Sequence, residues 1–235
     1  MSRLRLFILW GLGFLLLIVL IMRPTPNHLF VLSHWTLPLA PYTIVIDPGH
    51  GGVDGGAVGS DGTSEKDIAL AVSRKLASYL QHAGANVVLT RDDDVDLADD
   101  STKGFSRRKS EDIRNRLQLI HDQDADLFLS IHLNAMPSKV WRGAQSFYYP
   151  KFPESRQLAE NIQAEIIAHL QNTTREALAI RSVYLLKHAE VPGALIELGF
   201  LSNESERELL KKDSYQDQMA ASIYDGVLHY LTEGN

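Results

Sequence analysis

Apolar positions along this chain follow two unlike patterns. Residues 6–22, LFILWGLGFLLLIVLIM, carry no charge and leave no polar face on a helical projection. As a helix the segment is about 25 Å long at 1.5 Å per residue, enough to cross a bilayer with some thinning. Arg3 and Arg5 precede it and Arg23 follows it. The positive-inside rule then keeps the N-terminus in the cytoplasm and exports the rest. A cleaved signal peptide is the alternative, but no A-x-A site follows closely, and PLAP (38–41) would place proline just after the cut. The expectation is an N-terminal membrane anchor (1–22), a stalk (23–41) holding Pro24, Pro26, Pro38 and Pro41, and a catalytic domain over 42–235.

Beyond the stalk the pattern alternates between short apolar runs and amphipathic stretches. YTIVID (42–47), NVVLT (86–90), DLFLSIHL (126–133), AQSFYY (144–149), VYLLK (183–187) and GALIELGFL (193–201) read as strands. SEKDIALAVSRKLASYLQHAG (64–84) reads as a helix whose Ile68, Val72, Leu76 and Leu80 line one face. Ser64 with Asp67 forms a capping-box pattern at its start, and Gly84 can end it. SEDIRNRLQLIHDQ (110–123), with Ser110 as cap and acids in its first turn, SRQLAENIQAEIIAHLQN (155–172) and residues 215–231 are further helices. Strands alternating with helices predict an α/β fold: a mainly parallel sheet sandwiched by helices, in one domain after the N-terminal transmembrane helix. Ligands of such sheets bind beyond the carboxyl ends of the strands.

Composition narrows the chemistry. A length of 235 residues suits one well-buried α/β domain, and a net charge of −6 argues against nucleic acid as a partner. There is no cysteine, so a metal would have to be held by His, Asp or Glu.

Four residues stand out. His50 follows the first strand in IVIDPGHGGVDGGAVG, in a bed of glycines that leaves room beside the ring for a metal or a large substrate. An inert loop histidine is the plainer reading, and no GxxxxGK[ST] or GxGxxG pattern supports a phosphate loop. Glu65 opens the first helix of the domain, where the helix dipole alone favours a carboxylate. His132 ends LFLSIH and could be a hydrogen-bonded core histidine. Glu197 interrupts the apolar run ALIELGF; buried there it needs a cation, a water or a proton, and a buried salt bridge would also serve. Taken together they support one another. Two His and one Glu are a recurring catalytic zinc set that leaves a position for water. His50, Glu65 and His132 would be ligands of one Zn2+, which lowers the pKa of that water and polarises a carbonyl. Glu197 would be the base that takes the water's proton and passes it to the leaving amine. There is no HExxH, so this is not the helix-borne zinc peptidase pattern.

IVIDPGHGGVDGGAVG, SEKDIAL, DLFLSIHLNA and ALIELGFLSN, in that order, resemble the four signatures of the zinc-dependent N-acetylmuramoyl-L-alanine amidases of the amidase_3 type, over residues 43–231. The resemblance implies zinc on His50, Glu65 and His132 and catalysis by Glu197. It also implies cleavage of the amide between N-acetylmuramic acid and L-alanine of the peptidoglycan stem peptide. TKGFSRRKSEDIRNR, SIHLNAMPSKVWRGAQSFYYP and NTTREA are similar to the spore-cortex amidases of endospore-forming bacteria. That narrower likeness implies stem-peptide removal during muramic δ-lactam formation, with the enzyme tethered to the membrane in the space around the forespore. Some relatives insert an autoinhibitory helix after the SIH strand; here about ten residues separate Asn134 from the next strand, too few for one. The expected partners are peptidoglycan glycan strands, the membrane through the N-terminal helix and an activating protein. No nucleic acid and no separate wall-binding module are expected, and the protein is expected to be a monomer.

Two other readings stay open: a zinc peptidase cutting within the stem peptide, and a non-catalytic wall-binding protein that kept the fold. Lesser features have structural readings. RDDDVDLADD reads as a solvated acidic loop, with Leu97 where a calcium loop needs Gly. SRRKSEDIRNR reads as a solvated helix start that could also meet stem-peptide carboxylates, and His121 as a structural residue. Trp141 and Tyr148 could line a sugar groove or pack.

Overall fold

The computed structural model describes residues 3–22 and 37–233, in two units divided after Thr36. The first unit contains helix α1 (Arg3–Met22), where the anchor was expected. Phe7 and Trp10 are each 75% exposed along it. Among the described residues, however, no helix is long and apolar enough to cross a membrane. The transmembrane expectation is thus unsupported here, although a helix does form over the apolar run. Most of the expected stalk lies outside the described residues.

The second unit begins at Leu37. Leu39 is fully buried, and its N–H donates to Ala83 O at 3.0 Å. Six strands form one sheet: β1 (Thr43–Pro48), β2 (Asn86–Leu89), β3 (Leu127–Asn134), β4 (Gln145–Tyr148), β5 (Leu178–Ala179) and β6 (Gly193–Phe200), in the order β2-β1-β3-β6-β4-β5. The first four in that order are parallel; β4 runs antiparallel to β6, and β5 follows β4. The sheet is therefore mixed, with a parallel half that carries the chemistry. The helices are α2 (Glu65–His82), α3 (Phe105–Asp122), α4 (Pro153–Leu170), α5 (Tyr184–His188), α6 (Glu204–Leu210) and α7 (Asp213–Glu233).

Strand side chains alternate between faces, and the two faces have separate cores. Ile44, Ile46, Leu129, Ile131, Ile196 and Leu198 pack under α2, α4 and α7. Val45, Phe128 and Leu195 meet Ile120 of α3 and Leu185 and Leu186 of α5. Continuing the second face along each strand brings up Asp47, Ser130, His132 and Glu197. The polar residues thus lie on the thinner side of the sandwich, at the strand ends.

Three local expectations are corrected. Residues 183–187 form a strand in the expectation but a short helix, α5, in the structure; an apolar run of five residues fits either element, and here a helical turn covers the second core. The helix expected from Ser110 begins at Phe105, after Gly104 at φ +91°, with no acid in its first turn. Ser110 lies inside it and donates to Ser106 O at 2.8 Å. Ser64 sits at the N-cap of α2 but forms no capping box; its hydroxyl donates instead to Gly55 O at 2.8 Å.

Candidate active site

Asp47 closes β1 as a fully buried carboxylate, and its surroundings show how a charge is tolerated there. Its Oδ1 accepts from Thr90 Oγ1 (2.7 Å) and Arg116 Nη1 (2.8 Å), and its Oδ2 from Ser130 Oγ (2.8 Å). Burial opposes ionisation, but the Arg116 guanidinium and these donors hold its pKa below the ordinary value. Arg116 also donates to Asp112, to Pro48 O and to His50 O. Arg91, equally buried, donates to Pro48 O at 3.0 Å and Gly49 O at 2.9 Å. Two guanidiniums therefore grip three consecutive carbonyls of the Pro48-Gly49-His50 turn. This grip holds His50 at φ +61°, a conformation unusual for a residue with a side chain.

The ring of His50 is oriented from outside. Its Nδ1 donates to Asp54 Oδ2 at 2.8 Å, which leaves Nε2 facing Glu65 Oε2 at 3.3 Å. Lys109 Nζ backs the same Asp54 oxygen at 2.9 Å. Burial works against a charge on His50, but Glu65 and Asp54 outweigh it and raise its pKa. Glu65, at the first position of α2, lies between the two histidines. Its Oε1 accepts from His132 Nδ1 and from Leu133 N, both at 2.9 Å, and its Oε2 from Ala57 N at 2.7 Å. Burial favours its neutral form, but the two imidazoles prevail and hold it far below the usual carboxylate range.

The glycines around His50 have a steric reason. A Cβ on Gly49 would strike the His132 ring. A Cβ on Gly56 would fall 2.5 Å from Glu65 Oε2 and 2.7 Å from His50 Cδ2, and Gly56 has φ +67°. The rings of His50 and His132 lie edge to face, 5.1 Å apart. One donor atom from each of His50, Glu65 and His132 lies within 4.8 Å of the others.

Glu197 is the register neighbour of His132 across β3 and β6. It is half-buried, and its Oε2 is enclosed with no hydrogen-bond partner. Burial pushes its pKa up to about 7, with Glu65 adding to the effect and His132 and His50 opposing it. A cavity of about 250 Å³ opens beside these groups, walled by Lys109 and Ile113 of α3 and by Val183, Tyr184 and Leu185 around α5.

All four residues singled out in the sequence thus converge. The supporting groups Arg91 and Asp54 were not foreseen, and Asp112 and Arg116, expected in a solvated helix start, are buried. Arg116 had a signal: it falls with Asp112 and Ile120 on one i, i+4 stripe of α3, where a buried face should be apolar. The acidic loop is only partly solvated, since Asp96 binds Arg108 and Asp94 binds Lys66 at 2.7 Å. The two aromatic candidates part company. Tyr148 packs against the larger core, whereas Trp141 is 47% exposed with Arg175 over its ring.

The donor set passes a chemical test for zinc. Two imidazoles and one carboxylate converge, His50 and Glu65 are held by outer partners, and a buried acceptor without a partner stands alongside. Known proteins resemble the chain over most of its length. The chain is 51% identical over 222 residues to the germination-specific N-acetylmuramoyl-L-alanine amidase of Bacillus subtilis, covering 94% of this chain and 93% of that one. It superposes with a TM-score of 0.80 and 40% identity on the CwlD amidase of Clostridioides difficile, solved in complex with the GerS lipoprotein, covering 82% of this chain and 99% of that one. A second N-acetylmuramoyl-L-alanine amidase, from Clostridium difficile 630, matches at TM-score 0.73 and 32% identity over 83% of this chain and 98% of that one. The profile described as N-acetylmuramoyl-L-alanine amidase, Amidase_3, spans residues 44–229 and so takes in the histidine turn, the glutamate of α2 and both chemistry-bearing strands. The chain belongs to that family.

Proposed function

We propose that this amidase is zinc-dependent and removes stem peptides from peptidoglycan during muramic δ-lactam formation in the spore cortex. One observation carries the zinc reading: the donor atoms of His50, Glu65 and His132 gather within 4.8 Å beside a glutamate whose enclosed oxygen has no partner. Those three residues would hold the ion. When bound, it supplies Lewis acidity that polarises the scissile carbonyl and lowers the pKa of a water.

The remaining chemistry belongs to the chain. Glu197 accepts a proton from the attacking water as its oxygen bonds to the lactyl carbonyl carbon. The carboxyl then returns that proton to the amide nitrogen as the C–N bond breaks, which yields a lactyl carboxylate and the free amino group of L-alanine. A carboxyl poised near 7 can do both. Asp54 keeps Nδ1 of His50 occupied, so that Nε2 stays directed inward. Glu65 and Asp54 favour a proton on His50, so metal binding at its Nε2 releases that proton to solvent.

The cortex assignment draws support from the name of the Bacillus subtilis relative. The Clostridioides difficile relative was solved with a lipoprotein, and we extend to this chain the idea of a protein partner that controls activity. The proposal also includes membrane attachment through residues 6–22, resting on their uncharged sequence.

Digestion tests the reading. Purified peptidoglycan, and spore cortex in parallel, are incubated with zinc-loaded protein, with chelated protein and with Glu197→Gln. The products are then weighed. Intact stem peptides that begin at L-alanine, formed only by the loaded wild type, support it. Peptides cut internally would identify a stem-peptide peptidase, and release by chelated protein would remove zinc from the mechanism.

A further inference from the structure

Helices α4 and α7 pack against each other in antiparallel register, and at one point their backbones nearly touch. Gly226 makes this possible: a Cβ there would run into the backbone of Asn161 and Ile162. Near that crossing lies a cluster apart from the active site. Glu165 and His169 stand four residues apart on α4, and Asp225 and His229 four residues apart on α7. Residues at i and i+4 share a helix face, so each helix presents one carboxylate and one imidazole to the same seam. Glu165 faces His229 and His169 faces Asp225.

The separations are informative. His229 Nδ1 lies 3.0 Å from Glu165 Oε1, His169 Nε2 3.5 Å from Glu165 Oε2, and His169 Nδ1 3.5 Å from Asp225 Oδ2. The two 3.5 Å contacts are too long for good N–H···O hydrogen bonds. They leave the His169 ring between two carboxylates with no firm hydrogen bond to either. One donor atom from each of Glu165, His169 and Asp225 already lies within 4.8 Å of the others, while His229 contacts Glu165 alone and holds that carboxylate from outside. Both histidines are about half exposed, 49% and 46%, so an ion can enter from solvent. Two carboxylates confined to one seam repel each other, and a dication relieves that repulsion.

We propose that Glu165, His169 and Asp225 form a second divalent-cation site that cross-links α4 to α7, with His229 as the outer partner of Glu165. Ligands drawn from two helices make the site a staple between them, and it is independent of the zinc reading of the active site.

The test counts zinc. Metal-free full-length protein and the double variant His169→Gln/His229→Gln are dialysed against rising zinc. Bound metal is measured by elemental mass spectrometry and the melting temperature by calorimetry. Circular dichroism confirms that the variant, altered only at half-exposed positions, is folded. The expected result is two equivalents bound by the wild type and one by the variant, with the melting temperature rising on the second equivalent in the wild type alone. Equal stoichiometry in the two proteins overturns the proposal, whether that number is one or two. One equivalent in the wild type and none in the variant would uphold this site while removing zinc from the active-site reading.

Discussion

At the level of single residues, the site is built by spending stability on poised groups. Glu197 shows this most directly. Its pKa is raised above the ordinary 4.5 to about 7 because burial disfavours the charged form. The stability this group contributes is therefore complete below 4.5 and is lost as pH rises through about 7. Glu197→Gln should accordingly melt higher than the wild type in metal-free protein. The gap should be absent in acid, open between about 4.5 and about 7, and stay level above that; calorimetry across that range checks it. Catalysis has the opposite slope. The carboxylate must be ionised to take a proton, so kcat/KM should fall on the acid side with a midpoint at or below about 7, since a bound cation pulls the value down. Glu197→Gln should lower kcat by about 10²–10⁴-fold while zinc stoichiometry at the active site is unchanged. Asp54→Asn tests a different link. It weakens the hold on His50 Nδ1, and zinc affinity should drop by about 10–100-fold with the fold intact, as read by competition with a chelating dye. Why the histidine turn is so rich in glycine also has its answer here: at positions 49 and 56 any side chain would occupy space that His132, Glu65 and His50 need.

Among the elements, α3 does most to shape the site. It lies on the thin face of the sheet and sends Arg116 inward to Asp47 and to the carbonyls of the histidine turn. Arg116→Ala would leave Asp47 buried and charged without its main partner. We expect a loss of about 3–5 kcal/mol in denaturant unfolding, and loss of zinc binding at low metal as the turn relaxes. The same helix explains a misplaced start. Its first turns carry Arg108 and Lys109 because Asp96 and Asp54 wait for them, and those partners lie 12 and 55 residues back along the chain, beyond the reach of any local pattern. The segment 183–187 failed for a related reason. Its apolar run is compatible with strand or helix, and only the open face of Val45, Phe128 and Leu195 decides that it covers the core as α5. By contrast β1, β3, β6 and α2 were legible within a residue or two, because long apolar runs and a clean i, i+4 stripe leave little choice of element.

For the molecule as a whole, the folded unit begins before the first strand. Leu39 is wholly buried and hydrogen-bonded to the end of α2, and Leu37 packs on Gly84. A chain starting at Leu37 should melt like the full-length protein, whereas one starting at Tyr42 should be less stable by about 2–5 kcal/mol, the usual cost of an emptied leucine site. Comparison of the two melting curves checks this. Read alone, the chain already points to the α/β class and the family, and it picks out the four residues that the structure brings together. Each of these rests on a local signal: an apolar period, a histidine at a strand end, a glutamate where burial forbids an idle charge. The three-dimensional packing decided the rest. It turned the outer part of the sheet antiparallel, made Arg116 and Arg91 the holders of the histidine turn, and brought Glu165 and His169 against Asp225 and His229. Periodicity reports which side of an element is buried, but not what lies opposite it. The partner of a buried charge is chosen by contacts between segments far apart in the chain, and those exist only once the sheet and its helices have closed.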